Sequence, residues 1–239
     1  MHTAFRGHLT LGQVSGGIRA TGGSLAPQKS FCYIIDFQWT GSAWQYRPLA
    51  DLPGDYTLTT SDGTRKELKR YETSHAEKTL GVFISMDGNE EAQINHLRNK
   101  CIEFGSRMRS STCTKNEALY TFTACLLPSL SYSYSVTTIS EADWNTIITP
   151  AIIPTLQKAG ISKNIARVPL YAPTKFQGFN IHHPYLSQQI THIIILFQQV
   201  QEGSQLGSII RANAEQLRLE LGFPFNISLT NYKISSTYI

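Results

Sequence analysis

The chain is short of charge. Asp, Glu, Lys and Arg make up 16% of its 239 residues, against roughly 25% in an average soluble domain. That excludes a charge-rich disordered segment and a charged coiled coil. Long apolar runs are missing too. The longest, Ile193 to Phe197, spans five residues, far below the ~18 that cross a bilayer. No apolar run succeeds Arg6 near the start, so no secretory leader and no membrane partner is expected, and the expected location is intracellular. Cysteine is sparse: Cys32, Cys101, Cys113 and Cys125 form no CxxC pair, and no histidine stands at zinc-finger spacing from them. All four are expected to be reduced and mostly buried. Phosphate-loop, dinucleotide, zinc-protease and serine-elbow motifs are absent. The six aspartates are never adjacent, and Asp62 and Asp87 each precede glycine, the pattern of a turn. Asp36 is the odd acid, set in an apolar stretch and expected at a bulge or edge. His182 and His183 would point to opposite faces of a strand, which argues against a shared metal.

What is present is a 41% hydrophobic fraction, enough for one large or two small cores. Leu9, Leu11, Val14 and Ile18 have helical spacing, ended by Gly22-Gly23. Residues 30–39 read as one buried strand and 43–47 as its return. Residues 56–60 and 64–68 flank Asp62-Gly63 as a hairpin. Residues 78–85 read as another short strand. After Asn89, taken as an N-cap, the period becomes helical: Ile94, Leu97, Cys101, Phe104 and Met108 form one stripe. A second helix is expected over 115–127, stopping near Pro128. A third starts at Ser140 and is bent or broken by Pro150 and Pro154. Residues 162–181 read as loop. Pro184 opens a helix carrying Leu186, Ile190, Ile193, Ile194 and Phe197. Ile209, Ala212, Leu217 and Leu221 mark one more. The expected class is α+β: a short helix and an antiparallel β block over 1–88, a helical region over 89–222, and a frayed tail over 223–239.

Net charge is only +4, from 21 basic and 17 acidic residues. Its distribution is more informative. Arg98, Lys100, Arg107, Arg109 and Lys115 share one stretch with a single acid, Glu103, and residues 154–180 hold four basic residues and no acid. Two such stretches suit a surface that tracks phosphates.

Residues 21–33, Thr-Gly-Gly-Ser-Leu-Ala-Pro-Gln-Lys-Ser-Phe-Cys-Tyr, resemble the fourth palm motif of reverse transcriptases. Lys78-Thr79-Leu80-Gly81-Val82-Phe83-Ile84 resembles the next motif, the Leu-Gly primer-grip hairpin. The region C-terminal to that motif is similar to the thumb of LINE-type (non-long-terminal-repeat) retrotransposon polymerases. It has a basic helix, Leu127-Pro128-Ser129-Leu130, Ser140-Glu141-Ala142-Asp143, Leu170-Tyr171-Ala172-Pro173, and Gln177-Gly178-Phe179-Asn180-Ile181, where that family has Gly-Gly-Leu-Gly-Ile. The resemblance spans residues 9 to about 200.

It implies the late palm and thumb of an RNA-directed DNA polymerase. The implied nucleic-acid contacts are Lys29, Leu80, Gly81, Arg98, Lys100, Arg107 and Arg109, and the implied partner is an RNA or DNA template–primer, held weakly and salt-dependently. An upstream polymerase half is a further possible partner. Lys29 would serve as a general acid in a complete palm. The family's Asp-Asp pair, which holds two metal ions, has no counterpart in residues 1–239. Mg²⁺ is therefore expected only in a complete polymerase, with no cofactor, metal site or nucleotide incorporation in this chain alone. Residues 40–77 form an insertion between the palm motifs, with Arg65, Lys66, Lys69 and Arg70 available to a partner. The alternative is a helical protein-interaction scaffold that binds no nucleic acid.

Overall fold

The computed structural model describes residues 30–52, 54, 57–59 and 64–222. The expected helix over 9–19, Lys29, the Asp62-Gly63 turn and the tail from Phe223 lie outside them. The class is α+β, with small strand pairs in the N-terminal region and helices after it. The chain forms two units, dividing between Asn89 and Glu90.

The N-terminal unit is built of three-residue strands in pairs. Strands β1 (Phe31–Tyr33) and β6 (Lys69–Tyr71) run parallel, with Phe31 opposite Lys69 and Tyr33 opposite Tyr71. Three antiparallel pairs accompany them: β2 (Phe37–Trp39) with β3 (Trp44–Tyr46), β4 (Thr57–Thr59) with β5 (Arg65–Glu67), and β7 (Glu77–Thr79) with β8 (Val82–Ile84). The block is antiparallel as expected in three of these four pairs, and β1 with β6 adds one parallel pair. The single buried strand over 30–39 is corrected. It breaks at Ile34–Asp36, where Asp36 accepts from the Phe37 amide at 2.9 Å and pairs with Arg47 at 2.9 Å. That carboxylate needs solvent and a cation, so the chain turns outward there instead of continuing through a core.

The β2–β3 hairpin closes through Thr40, whose amide donates to the Ala43 carbonyl at 3.0 Å. Its register pairs Phe37 with Tyr46 and Trp39 with Trp44, with ring centroids 4.9 and 5.5 Å apart. Residues 78–85, read as one strand, are instead a hairpin. Leu80 (φ 49°) and Gly81 (φ 92°) both take the left-handed conformation, which a two-residue primed turn requires.

The C-terminal unit holds the core. Helix α1 (Glu91–Ser110) packs along α4 (Glu141–Lys158), burying Leu97, Cys101, Gly105 and Met108 on one stripe. Its cap is Glu90, not Asn89. The Glu90 carboxylate accepts from the Thr138 amide and hydroxyl, tying the helix start to the segment before α4. Around this pair Phe122, Leu130, Trp144, Ile147 and Leu156 are fully buried.

Two proline expectations are corrected. Helix α2 (Lys115–Thr121), opened by a capping box between Thr114 and Glu117, does not stop near Pro128. It passes through a wider π turn over Phe122–Leu126 into α3 (Leu127–Ser131). There the Leu127 amide reaches back five residues to the Phe122 carbonyl, a change of register beside the residue that has no N–H. Helix α4 is likewise unbroken, with Pro150 and Pro154 both inside it, so of the expected bend or break the break does not occur. Pro154 cannot donate to the Pro150 carbonyl, and that carbonyl lies against Gly105 of α1. Ser140 caps α4 as expected, accepting from the Asp143 amide at 3.2 Å.

Residues 162–181 are less loop-like than the sequence reads: they contain α5 (Arg167–Tyr171) and a 3₁₀ turn over Thr174–Phe176. The last helices, α6 (Pro184–Gln201) and α7 (Gln205–Leu221), pack on each other.

All four cysteines are free, but only Cys101 is buried; Cys32 and Cys113 are half-buried and Cys125 is exposed, which corrects the expectation that they are mostly buried. Burial pushes the Cys101 thiol up to about 12, and a thiol attacks only as thiolate. Alkylation of the native protein followed by mass spectrometry is expected to label Cys125 and spare Cys101 until denaturant is added.

Candidate nucleic-acid interface

The buried stripe of α1 turns its remaining residues outward, and the four basic side chains meet different fates. Lys100 is half-buried and donates from Nζ to the Ser129 carbonyl at 3.1 Å. Arg107 pairs with Glu103 one turn earlier at 2.5 Å. Arg98 and Arg109 are exposed and make no ion pair among the described residues. Eleven residues separate them, three turns and about 16 Å along the axis, with an offset of about 20° around it. One side of α1 therefore carries two guanidinium groups without an ion pair among the described residues, while the other two cations are held by the protein itself.

The remaining basic residues divide in the same way. Lys158 donates to the Ser111 carbonyl at the end of α1. Arg70 donates to the Leu52 and Gly54 carbonyls at 3.2 and 2.8 Å. Lys69 lies 4.7 Å from the Tyr71 ring centroid and Lys175 5.0 Å from that of Phe176. Arg65, Lys66 and Lys163 are exposed. Burial lowers the pKa of the half-buried His183; the Glu141 carboxylate acts against that, and the exposed Arg167 adds to it. The His183 ring packs edge-on against Tyr171, 4.6 Å between centroids.

Leu80 and Gly81 form the tip of the β7–β8 hairpin, and Leu80 is 85% exposed. Beside Gly81, the leucine's left-handed backbone is unusual for a residue with a Cβ. Lys29 is outside the described residues.

A feature that the sequence reading missed lies on β2–β3. Phe37, Trp39, Trp44 and Tyr46 share one face of the hairpin and are all exposed, with Trp44 at 66%. Gln38 and Gln45 occupy the other face. Alternation of Phe37-Gln38-Trp39 with Trp44-Gln45-Tyr46 was the available signal, since period two separates two faces. Exposed rings of this kind offer flat surfaces on which bases stack.

Among the described residues no three His, Cys, Asp or Glu side chains gather as metal ligands, and no helix is long and apolar enough to cross a membrane. No protein-family model matches the chain, and no curated protein and no solved structure matches it either.

Proposed function

We propose that this chain is the template–primer-holding part of an RNA-directed DNA polymerase, late palm and thumb, and that α1 meets the phosphates of a duplex through Arg98 and Arg109. The observation that carries this reading is their shared, solvent-facing side of α1, with no acid among the described residues paired to either. Backbone contacts of this kind bind without regard to base sequence. The reading is narrower than four equivalent cations, because Lys100 and Arg107 are already engaged. The exposed rings of β2–β3 and the tip at Leu80-Gly81 are further surfaces suited to a nucleic acid.

A salt titration of binding to a fluorescent RNA–DNA duplex, read by anisotropy, tests it. Each neutralised phosphate adds about 0.9 to the slope of log affinity against log salt on a B-form DNA duplex. Changing Arg98 and Arg109 together to Ala is expected to weaken binding equally for all sequences and flatten the slope by about two units. Lys100→Ala is expected to affect stability more than the slope. An unchanged slope in the double variant shifts the weight to the second reading, a protein-interaction scaffold, which the exposed apolar side chains of α6 and α7 favour.

A further inference from the structure

Two buried polar atoms of the helical unit, the Tyr171 Oη and the His183 Nδ1, have no hydrogen-bond partner among the described residues. Their rings stand edge-on to each other where α5 ends and α6 begins. The chain between them folds tightly back on α5. The amides of Phe179, Asn180 and Ile181 donate to the carbonyls of Pro169, Ala172 and Leu170 at 2.9, 2.9 and 3.0 Å, and a Cβ on Gly178 would lie 2.0 Å from the Ala172 oxygen. Leu170 and Ile181, joined by the last of these bonds, are both buried. His183 heads α6: its carbonyl accepts from the Ser187 amide at 3.0 Å, but its ring caps no amide. A polar atom buried without a partner is destabilising. For an imidazole nitrogen, the size of that penalty depends on whether it holds a proton.

We propose that His183 is an acid-sensitive latch, its neutral ring closing the head of α6 onto α5 and its protonation releasing it. With the ring proton on Nε2, Nδ1 is a bare lone pair, the less costly state for a buried nitrogen without a partner. A second proton makes Nδ1 a cationic N–H with no acceptor among the described residues. Burial is the strongest influence against that cation. The Glu141 carboxylate at the head of α4 favours it, and the Arg167 guanidinium at the head of α5 disfavours it. The first turn of α6 adds the positive end of its dipole, also against it. Tyr171 brings no charge, since burial raises the pKa of its phenol. The closed ring therefore resists protonation, whereas an opened ring, in water, takes a proton at about pH 6.5. Above that pH both forms are neutral and the latch holds at full strength. As pH falls below it, the open form alone gains the proton, and closure is lost progressively down to the lower pKa of the closed form. The latch belongs to the helical unit and operates whatever α1 binds.

Hydrogen exchange of the full chain, corrected for intrinsic rates and read by mass spectrometry on peptides containing Ile181 and Ser187, tests it. Between about pH 7.5 and about pH 5.5, opening of this seam is expected to rise up to ~10-fold, the limit for one proton taken up a unit below its free pKa. His183→Phe keeps a ring against Tyr171 but cannot titrate, and is expected to abolish the rise. His182→Gln, at the exposed neighbouring position, is expected to keep it. Arg167→Gln removes an opposing cation and is expected to reduce it. One measurement needs no variant: by NMR of the wild type, the His183 imidazole is expected to titrate below about pH 6.5, with the proton of its neutral form on Nε2. Titration at or above that pH, or a neutral form protonated on Nδ1, overturns the proposal. So does a rise as large in His183→Phe as in the wild type, or one that vanishes with His182→Gln.

Discussion

Replacing Trp144 with alanine is expected to remove about 3–5 kcal/mol from the stability of the helical unit. The indole is fully buried and stands edge-on to Tyr134, 5.4 Å between centroids. Its Nε1 donates to the Gln188 Oε1 at 2.9 Å, and the Gln188 amide donates in turn to the Ile139 carbonyl at 3.1 Å. One side chain thus fills the space between α4 and α6 and satisfies a buried polar group that water does not reach. Alanine leaves a cavity and takes away the best donor to Gln188, whose remaining one is the Thr137 hydroxyl at 3.5 Å. Since domains are stable by only about 5–15 kcal/mol, the variant is expected to lie near its unfolding transition. A urea titration followed by circular dichroism measures the loss. Trp144→Phe keeps most of the packing, deletes only the donor, and is expected to cost about 1–3 kcal/mol. Equal midpoints for wild type and Trp144→Ala would mean that the unit is not held together at this residue.

Gly105→Ala is expected to destabilise the same unit by about 1–3 kcal/mol, and Gly105→Val by more. On an exposed helix surface the same change gains about 1 kcal/mol, because alanine is the better helix former. Here the sign reverses. A Cβ on Gly105 would overlap the Pro150 carbonyl and come within 3.4 Å of the Pro154 ring. The obstacle is backbone, which cannot rotate away as a flexible side chain does. Helices α1 and α4 would have to separate along the contact that buries Leu97, Cys101 and Met108. Ser106→Ala, one position on and exposed, is the control and is expected to stay within ~0.5 kcal/mol of wild type.

Helical periodicity was the most legible feature of the sequence. Leu97, Cys101 and Met108 could be placed on the buried side of α1, and Ser140 at the head of α4, because both depend on local spacing and capping. The prolines misled where tertiary structure offered a remedy: a π turn beside Pro128, and the neighbouring helix beside Pro150 and Pro154. Strand burial was legible only in part. The β-branched and aromatic residues of 31–39 mark strands correctly, yet composition does not say whether a second layer covers them, and the rings of β2–β3 are exposed. The basic residues of α1 could be assigned to the helix but not sorted. Lys100 reaches Ser129, 29 positions away in the chain, and no local pattern contains that partner. Arg107 and Glu103, by contrast, stand four apart and were readable as a pair.

The unbroken course of α4 through Pro150 and Pro154 has a consequence for the order of events in folding. Two prolines one turn apart remove two rungs from an eighteen-residue helix, and each costs about 3 kcal/mol in an isolated helix interior. Alone in water, such a segment has no means of crossing the nucleation barrier that even good helix formers barely cross. The expected sequence is that α1, free of proline, becomes helical first and serves as the surface on which α4 winds, with the Pro150 carbonyl settling over Gly105 as it does so. Formation of α4 and burial of the core are then one event. Core mutations in α4 are expected to slow folding, and those in α6 to speed unfolding.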